Sequence, residues 1–167
     1  MKKRASGEVL AAISNSIADT APVFETILAS CERLFVGRIG VINLIGDDGM
    51  MQLAAYHGPG RDQMEQLYPR PADATSATGA AIARRDVVHY PDVDGSHDVP
   101  SSARAVWEVM HIKAAIGAPM IWKGQGIGSI FVGRDRPGAF SDKEIALLRT
   151  FADQAVIAIQ NVRLFRE

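Results

Sequence analysis

The chain has 167 residues, 47% of them hydrophobic and 22% charged, with a formal net charge of -1. That length fits one domain with its own core, spanning residues 1–167, and the near-neutral charge excludes a strong field for nucleic acid or an anionic membrane. The single cysteine, Cys31, excludes an internal disulfide and fits a reducing, cytoplasmic setting, and no run approaches the roughly 20 apolar residues of a membrane span.

In chain order, Lys2-Lys3-Arg4 followed by Val9 to Ile13 imitates a signal peptide, but Glu8, Ser14, Asn15 and Ser16 break the apolar run too early. Val9, Leu10, Ile13 and Ile17 instead recur at helical spacing and predict a helix over 6–18. Asp19-Thr20-Ala21-Pro22 reads as a stop and restart, with Pro22 in a first turn. Val23, Phe24, Ile27, Leu28, Cys31, Leu34 and Phe35 then mark an amphipathic helix over 22–36, so that 6–36 is an N-terminal pair of helices. The period changes at Ile39. A β-branched run to Ile45, the turn Asp47-Asp48-Gly49 and a second run from Met50 to His57 predict a hairpin.

Gly58-Pro59-Gly60 ends the hairpin, and 61–68 predicts a short helix. Thr75-Ser76 caps a helix from Ala77 to Arg84, and Val87 to Tyr90 is a short strand stopped by Pro91. Residues 91–102 read as a loop, and Ser101-Ser102 caps a helix over 103–110. Lys113 to Trp122 and Gly126 to Arg134 form a second hairpin around Lys123-Gly124-Gln125, with Pro119 signalling an edge or a bulge. Ser141 and Glu144 stand at capping-box spacing before a long helix over 141–165. The order predicts an α+β fold: an antiparallel sheet of about five or six strands over 39–134, helices from both termini on one face, and short helices and loop over a pocket on the other.

The stretch from Ala115 through Ile121, Gly124 to Val132, and Phe140-Ser141-Asp142-Lys143-Glu144 through Phe151-Ala152-Asp153-Gln154-Ala155 to Asn161 and Leu164 resembles bacterial GAF domains of sensor histidine kinases and cyclases. The resemblance covers about residues 8–165 and is most specific at the C-terminal end. It implies a sensory module of a two-component or similar signalling system. Such a module binds a small molecule and relays the event through its terminal helices to an effector domain. A ligand-free dimerisation module is the alternative. The chain is expected not to be an enzyme, and no cofactor is predicted.

The residues that carry chemistry fit that expectation. Cys31 shares an apolar helix face with Phe24, Ile27 and Leu28, where a thiol acts as a small hydrophobe. The same residue carries a weaker alternative, a redox enzyme. Methionine sulfoxide-reducing GAF domains use several cysteines, and bilin-binding ones a Cys-His pair, neither of which stands here. His57, His89, His97 and His111 lack metal-ligand spacing. The loop Asp92 to Asp98 resembles a calcium loop, but its glycine falls in the wrong position. Gly124, Gly126 and Gly128 join two strands rather than opening a helix, which excludes a phosphate cradle.

The candidate pocket set is Tyr56, His57, His89, Tyr90, Asp92, Arg104, Trp107 and His111, aromatic walls with a few polar groups at the ends of strands and on the short helices. In the last helix Leu148, Ala152, Ala155, Ile159 and Val162 step by four and three, a heptad-like seam that predicts a homodimer through the terminal helices.

Overall fold

The structure is a computed structural model that describes the backbone of residues 2–166 and the side chains of 17–162. The chain runs α1 (Lys2–Phe35), β1 (Ile39–Ile45), β2 (Met50–His57), α2 (Arg61–Gln66), β3 (Arg70–Pro71), α3 (Ala77–Arg84), β4 (Val88–Tyr90), α4 (Ser101–Val109), β5 (Ala114–Trp122), β6 (Gln125–Arg134) and α5 (Asp142–Arg166). The strands form one antiparallel sheet in the order β3-β2-β1-β6-β5-β4.

Side-chain alternation along these strands builds two cores. Ile42 and Leu44 of β1, Ile116 and Met120 of β5, and Ile130 and Val132 of β6 face one way. There they meet Phe24, Leu28, Cys31 and Phe35 of α1 and Leu148, Ala152, Ala155 and Ile159 of α5. Ile39, Val41, Ala115 and Phe131 face the other way, toward Met64 of α2, Ala77 and Ala81 of α3 and Trp107 of α4. Both faces are covered, so the central strands are apolar nearly throughout rather than alternating. The predicted division of the sheet between the chain ends and the middle segment is the one observed.

Two local expectations give way. The predicted break at 19–22 is absent: α1 is continuous through Pro22. A proline inside a helix forfeits a bond to the carbonyl four residues back and costs about 3 kcal/mol. Here Ile17, Phe24, Ile27, Leu28, Cys31 and Phe35 bury against the sheet on both sides of that point, and Pro22 itself is exposed. The burial outweighs the lost bond. Of the predicted stripe, Val23 and Leu34 are exposed, at 45% and 47%. Val9, Leu10 and Ile13 lie outside the described side chains. Second, the capping serines differ. Ser76 accepts from the Gly79 N–H at 2.9 Å, as a helix N-cap does. α4 instead begins after Pro100 with no side-chain cap, and the Ser102 hydroxyl serves Arg70.

Pro119 sits inside β5, opposite Ser129 on β6. β4 pairs with β5 only as far as Val88 opposite Gly117, so the outer side of β5 is free at Pro119. The bulge falls just beyond it, between Met120 and Ile121. The Ser141–Glu144 capping box forms in full: Ser141 Oγ accepts from the Glu144 N–H at 3.1 Å, and Glu144 Oε1 accepts from the Ser141 N–H at 2.8 Å.

Candidate functional site

Under the middle segment, against β1 and β6, lies a cavity of about 50 Å³. Its walls are mostly apolar: Ile39 and Val41 from β1, Met51 from β2, Met64 from α2, Val106 and Trp107 from α4, and Phe131 from β6. Polar groups gather at one side. Asn43 lies in the middle of β1 directly across from Ser129 of β6, and Thr78 of α3 closes on the pair. The Asn43 amide donates to Thr78 Oγ1 at 3.4 Å and to Ser129 Oγ at 3.3 Å, and the two hydroxyls lie 2.8 Å apart. Asn43 is only 4% exposed, and no donor reaches its buried Oδ1. A buried polar atom left without a partner costs about 1–3 kcal/mol.

The Tyr68 ring lies beside the Asn43 amide, where burial pushes its phenol up to about 12 and keeps it protonated at neutral pH. Arg70, half-buried on β3, completes this side and donates to the Ser102 hydroxyl and to the Ser102 carbonyl, the latter at 3.4 Å. Among the described residues no carboxylate lies within 4.0 Å of its guanidinium nitrogens. Hydrogen-bonding groups and one cation stand over an apolar floor. Among the described residues no group of three or more His, Cys, Asp or Glu is placed to hold a metal.

Of the eight sequence-selected pocket residues the cavity takes Trp107 alone. Trp107 packs on Tyr90 at 5.5 Å and on Phe131 at 6.3 Å between ring centroids, so Tyr90 supports the wall from behind. Tyr56 is buried nearby but spends its hydroxyl on the Pro59 carbonyl, while Arg61 donates to the Tyr56 carbonyl at 2.7 Å. His57, one residue on, points to the other side of the sheet and pairs with Glu32 of α1 at 2.9 Å. Asp92 is exposed and accepts from the Gly95 N–H at 3.2 Å, shaping its own turn. Arg104 donates to the carbonyls of Val93, at 2.8 Å, and Ser96, fastening the 91–102 loop onto α4. His111 is exposed, just past the end of α4, at a φ of 58°. The groups the sequence reading missed, Asn43, Tyr68, Arg70 and Thr78, come from four separate elements or connections.

His89 also lies away from the cavity. Its Nε2 accepts from the Phe140 N–H at 3.0 Å, and the two rings meet edge to face at 5.6 Å. Burial, with Arg134 nearby, holds its pKa below the ordinary 6.5, and Glu144 offsets this only in part. The folded value therefore lies under the unfolded one. The stabilising contribution is complete above 6.5 and is lost as pH falls through the folded value. Melting temperature is expected to drop on acidification below 6.5, and His89→Gln, which keeps an acceptor but no charge, to flatten that drop. A pH series of thermal melts on both proteins checks it.

The cavity and the terminal helices thus occupy opposite faces of one sheet, joined by β6. Phe131 and Gly133 line the cavity. The next residue, Arg134, turns to the other face and donates to the Phe35 carbonyl at the end of α1, at 2.9 and 2.6 Å. It also donates to Glu144 in the first turn of α5, at 2.7 Å. Its guanidinium lies 3.9 Å above the Phe140 ring centroid.

This layout defines a class of α+β module in which one sheet separates a cavity from a pair of terminal helices. The chain belongs to the GAF domain family, whose model matches residues 19–159. Among solved structures it is similar to a domain of a putative two-component sensor histidine kinase from Sinorhizobium meliloti, with a TM-score of 0.69, 21% identity, and 86% of this chain and 92% of that chain covered. It is similar to a GAF domain/HD domain protein from Geobacter sulfurreducens, with a TM-score of 0.72, 20% identity, and 89% and 96% covered. A type II free methionine-R-sulfoxide reductase from Thermoplasma acidophilum shares the fold at a TM-score of 0.62 and 19% identity, with 83% and 92% covered. A search of curated proteins returns no match.

Proposed function

We propose that this chain is a sensory module whose cavity binds a small molecule and whose terminal helices pass the event to an effector domain. The observation that carries the reading is β6, which walls the cavity with Phe131 and Gly133 and grips both helices through Arg134. A ligand acts on the helices only if it binds one arrangement of that grip better than another. The wall and the grip being adjacent residues of one strand supports such a difference. In this reading two copies pair through the helix faces that leave Val23 and Ile157 exposed, at 45% and 58%.

The reading does not use Cys31, although one structural neighbour is a reductase. Cys31 is 1% exposed in the core on the helix side of the sheet, and burial pushes its thiol up to about 12. A thiol with so little thiolate is a poor nucleophile.

The test is a thermal-shift screen of metabolites and nucleotides followed by hydrogen exchange with the best hit. A ligand at a hundred times its Kd adds about 2.7 kcal/mol of stability. Slower amide exchange at the end of α1 and the first turn of α5 is expected on binding. Stabilisation confined to the cavity walls would remove the relay. The small cavity, about 50 Å³ where ligand pockets usually hold roughly 300–1,000 Å³, favours the second reading, a ligand-free dimerisation module, if nothing in the screen binds.

A further inference from the structure

We propose that the cavity takes a short carboxylic acid carrying an O–H or N–H donor, such as a small hydroxy or amino acid, with its carboxylate on Arg70 and its donor on Asn43 Oδ1. This deepens the sensory reading above and rests on it.

Three independent observations converge on that chemistry. The first is size. A cavity of about 50 Å³, well under the roughly 300–1,000 Å³ of usual ligand pockets, favours a very small molecule over a nucleotide or a tetrapyrrole. The second is the orphaned acceptor. Asn43 is one of the cavity's lining residues, its buried Oδ1 has no hydrogen-bond partner, and the amide's own donors are spent on Thr78 and Ser129. A donor that reaches that oxygen removes the cost of leaving it unpaired. The third is charge. Arg70 stands on the same side, makes no ion pair with a described carboxylate within 4.0 Å although Asp73 lies near enough to feel its charge, and is held toward α4 by Ser102. A guanidinium is a planar fork that matches a carboxylate with two parallel bonds.

The remaining surfaces agree. Tyr68 lines the cavity with Asn43 and Arg70 and adds a protonated phenol to that wall. Val41, Met64, Trp107 and Phe131 leave an apolar floor for a short carbon stub. A second fixed anion on the ligand finds no second cation there: Asn43, Ser76, Thr78 and Tyr68 are the other polar side chains in the wall, and all are neutral.

The probes are glycolate, L-lactate, glycine and L-alanine. Propionate serves as the acid without a donor, and lactamide as the donor without an acid. Binding is read by calorimetry and thermal shift on the whole chain. At least one of the four acids is expected to bind, and propionate and lactamide to bind about tenfold more weakly or worse. Arg70→Gln, at a half-buried position, is expected to fold and to lose the acid by a similar factor, with Arg70→Lys recovering part of it. Equal binding of L-lactate and propionate, or full binding to Arg70→Gln, overturns the assignment. If a larger or neutral compound from the wider screen binds and no short acid does, the ligand class is wrong and the sensory reading stands. If no compound binds at all, both fall.

Discussion

Gly128→Ala is expected to destabilise the protein by about 3 kcal/mol or more, the upper end for forcing extra volume into a packed site. In a domain of this size that corresponds to a loss of roughly 6–12 °C in melting temperature. Gly128 lies on β6 opposite Leu44 of β1. A Cβ there falls 2.1 Å from the Asn43 carbonyl oxygen and 3.4 Å from the Leu44 Cα. Both are backbone atoms, so no rotamer change relieves the clash and the two central strands must separate. Gly124→Ala is the control. Its φ is 79° but a Cβ meets nothing within 4 Å, so only the backbone conformation resists and the loss is about 1 kcal/mol. Thermal or urea unfolding of the two variants checks the contrast. Equal losses would show that β1 and β6 lie farther apart than described.

Ile159→Ala is expected to cost about 2–5 kcal/mol, whereas Ile157→Ser stays within about 0.5 kcal/mol. Both residues lie on α5 two positions apart. Ile159 is fully buried in the core between α5, α1 and the sheet, and Ile157 is 58% exposed. The outcome bears on the heptad-like seam read from the sequence. Leu148, Ala152, Ala155 and Ile159 are all 2% exposed or less within one chain, and Val162 is half-buried. A seam consumed in this way supports the fold of a single chain. Its truncation should lower unfolding stability whether or not chains associate. Sedimentation of Ile157→Ser, set beside that of the parent chain, tests the other face of α5. A dimer in the parent that persists unchanged in Ile157→Ser would show that this face is not its contact.

The fold was legible wherever the relevant signal is local. Ser141 and Glu144 announce a helix start by themselves, and both reciprocal bonds are present. The turn at Asp47-Asp48-Gly49 sets the first hairpin, and the change of period at Ile39 separates α1 from β1. Pro22 misleads because its local penalty is real, while the burial that overrides it belongs to a sheet built later in the chain. β3 could not be read at all, since two residues carry no period.

The site was scarcely legible, for a related reason. Asn43 inside an apolar strand is meaningful only once Ser129 stands across from it and Thr78 packs over both, an arrangement spanning three elements. Histidines attract notice for their chemistry, but alternation along β2 sends His57 to the helix side while Tyr56 keeps to the cavity side. Trp107 was found because a large aromatic on an amphipathic helix announces a wall. Arg70 lies just past the helix read over 61–68, in a stretch the sequence assigns to no element.

Pro119 has a meaning for what happens when many copies crowd together. β5 keeps its ladder with β6 through this residue, so the missing N–H falls on the outward side, just past the end of β4. A strand arriving from another molecule to lengthen the sheet there would find no proton to share at that step. The stretch beyond β4 is thereby defended against fibre-like stacking by one ring, and Pro119 protects the solution behaviour of a protein whose interior strands are among its most apolar segments.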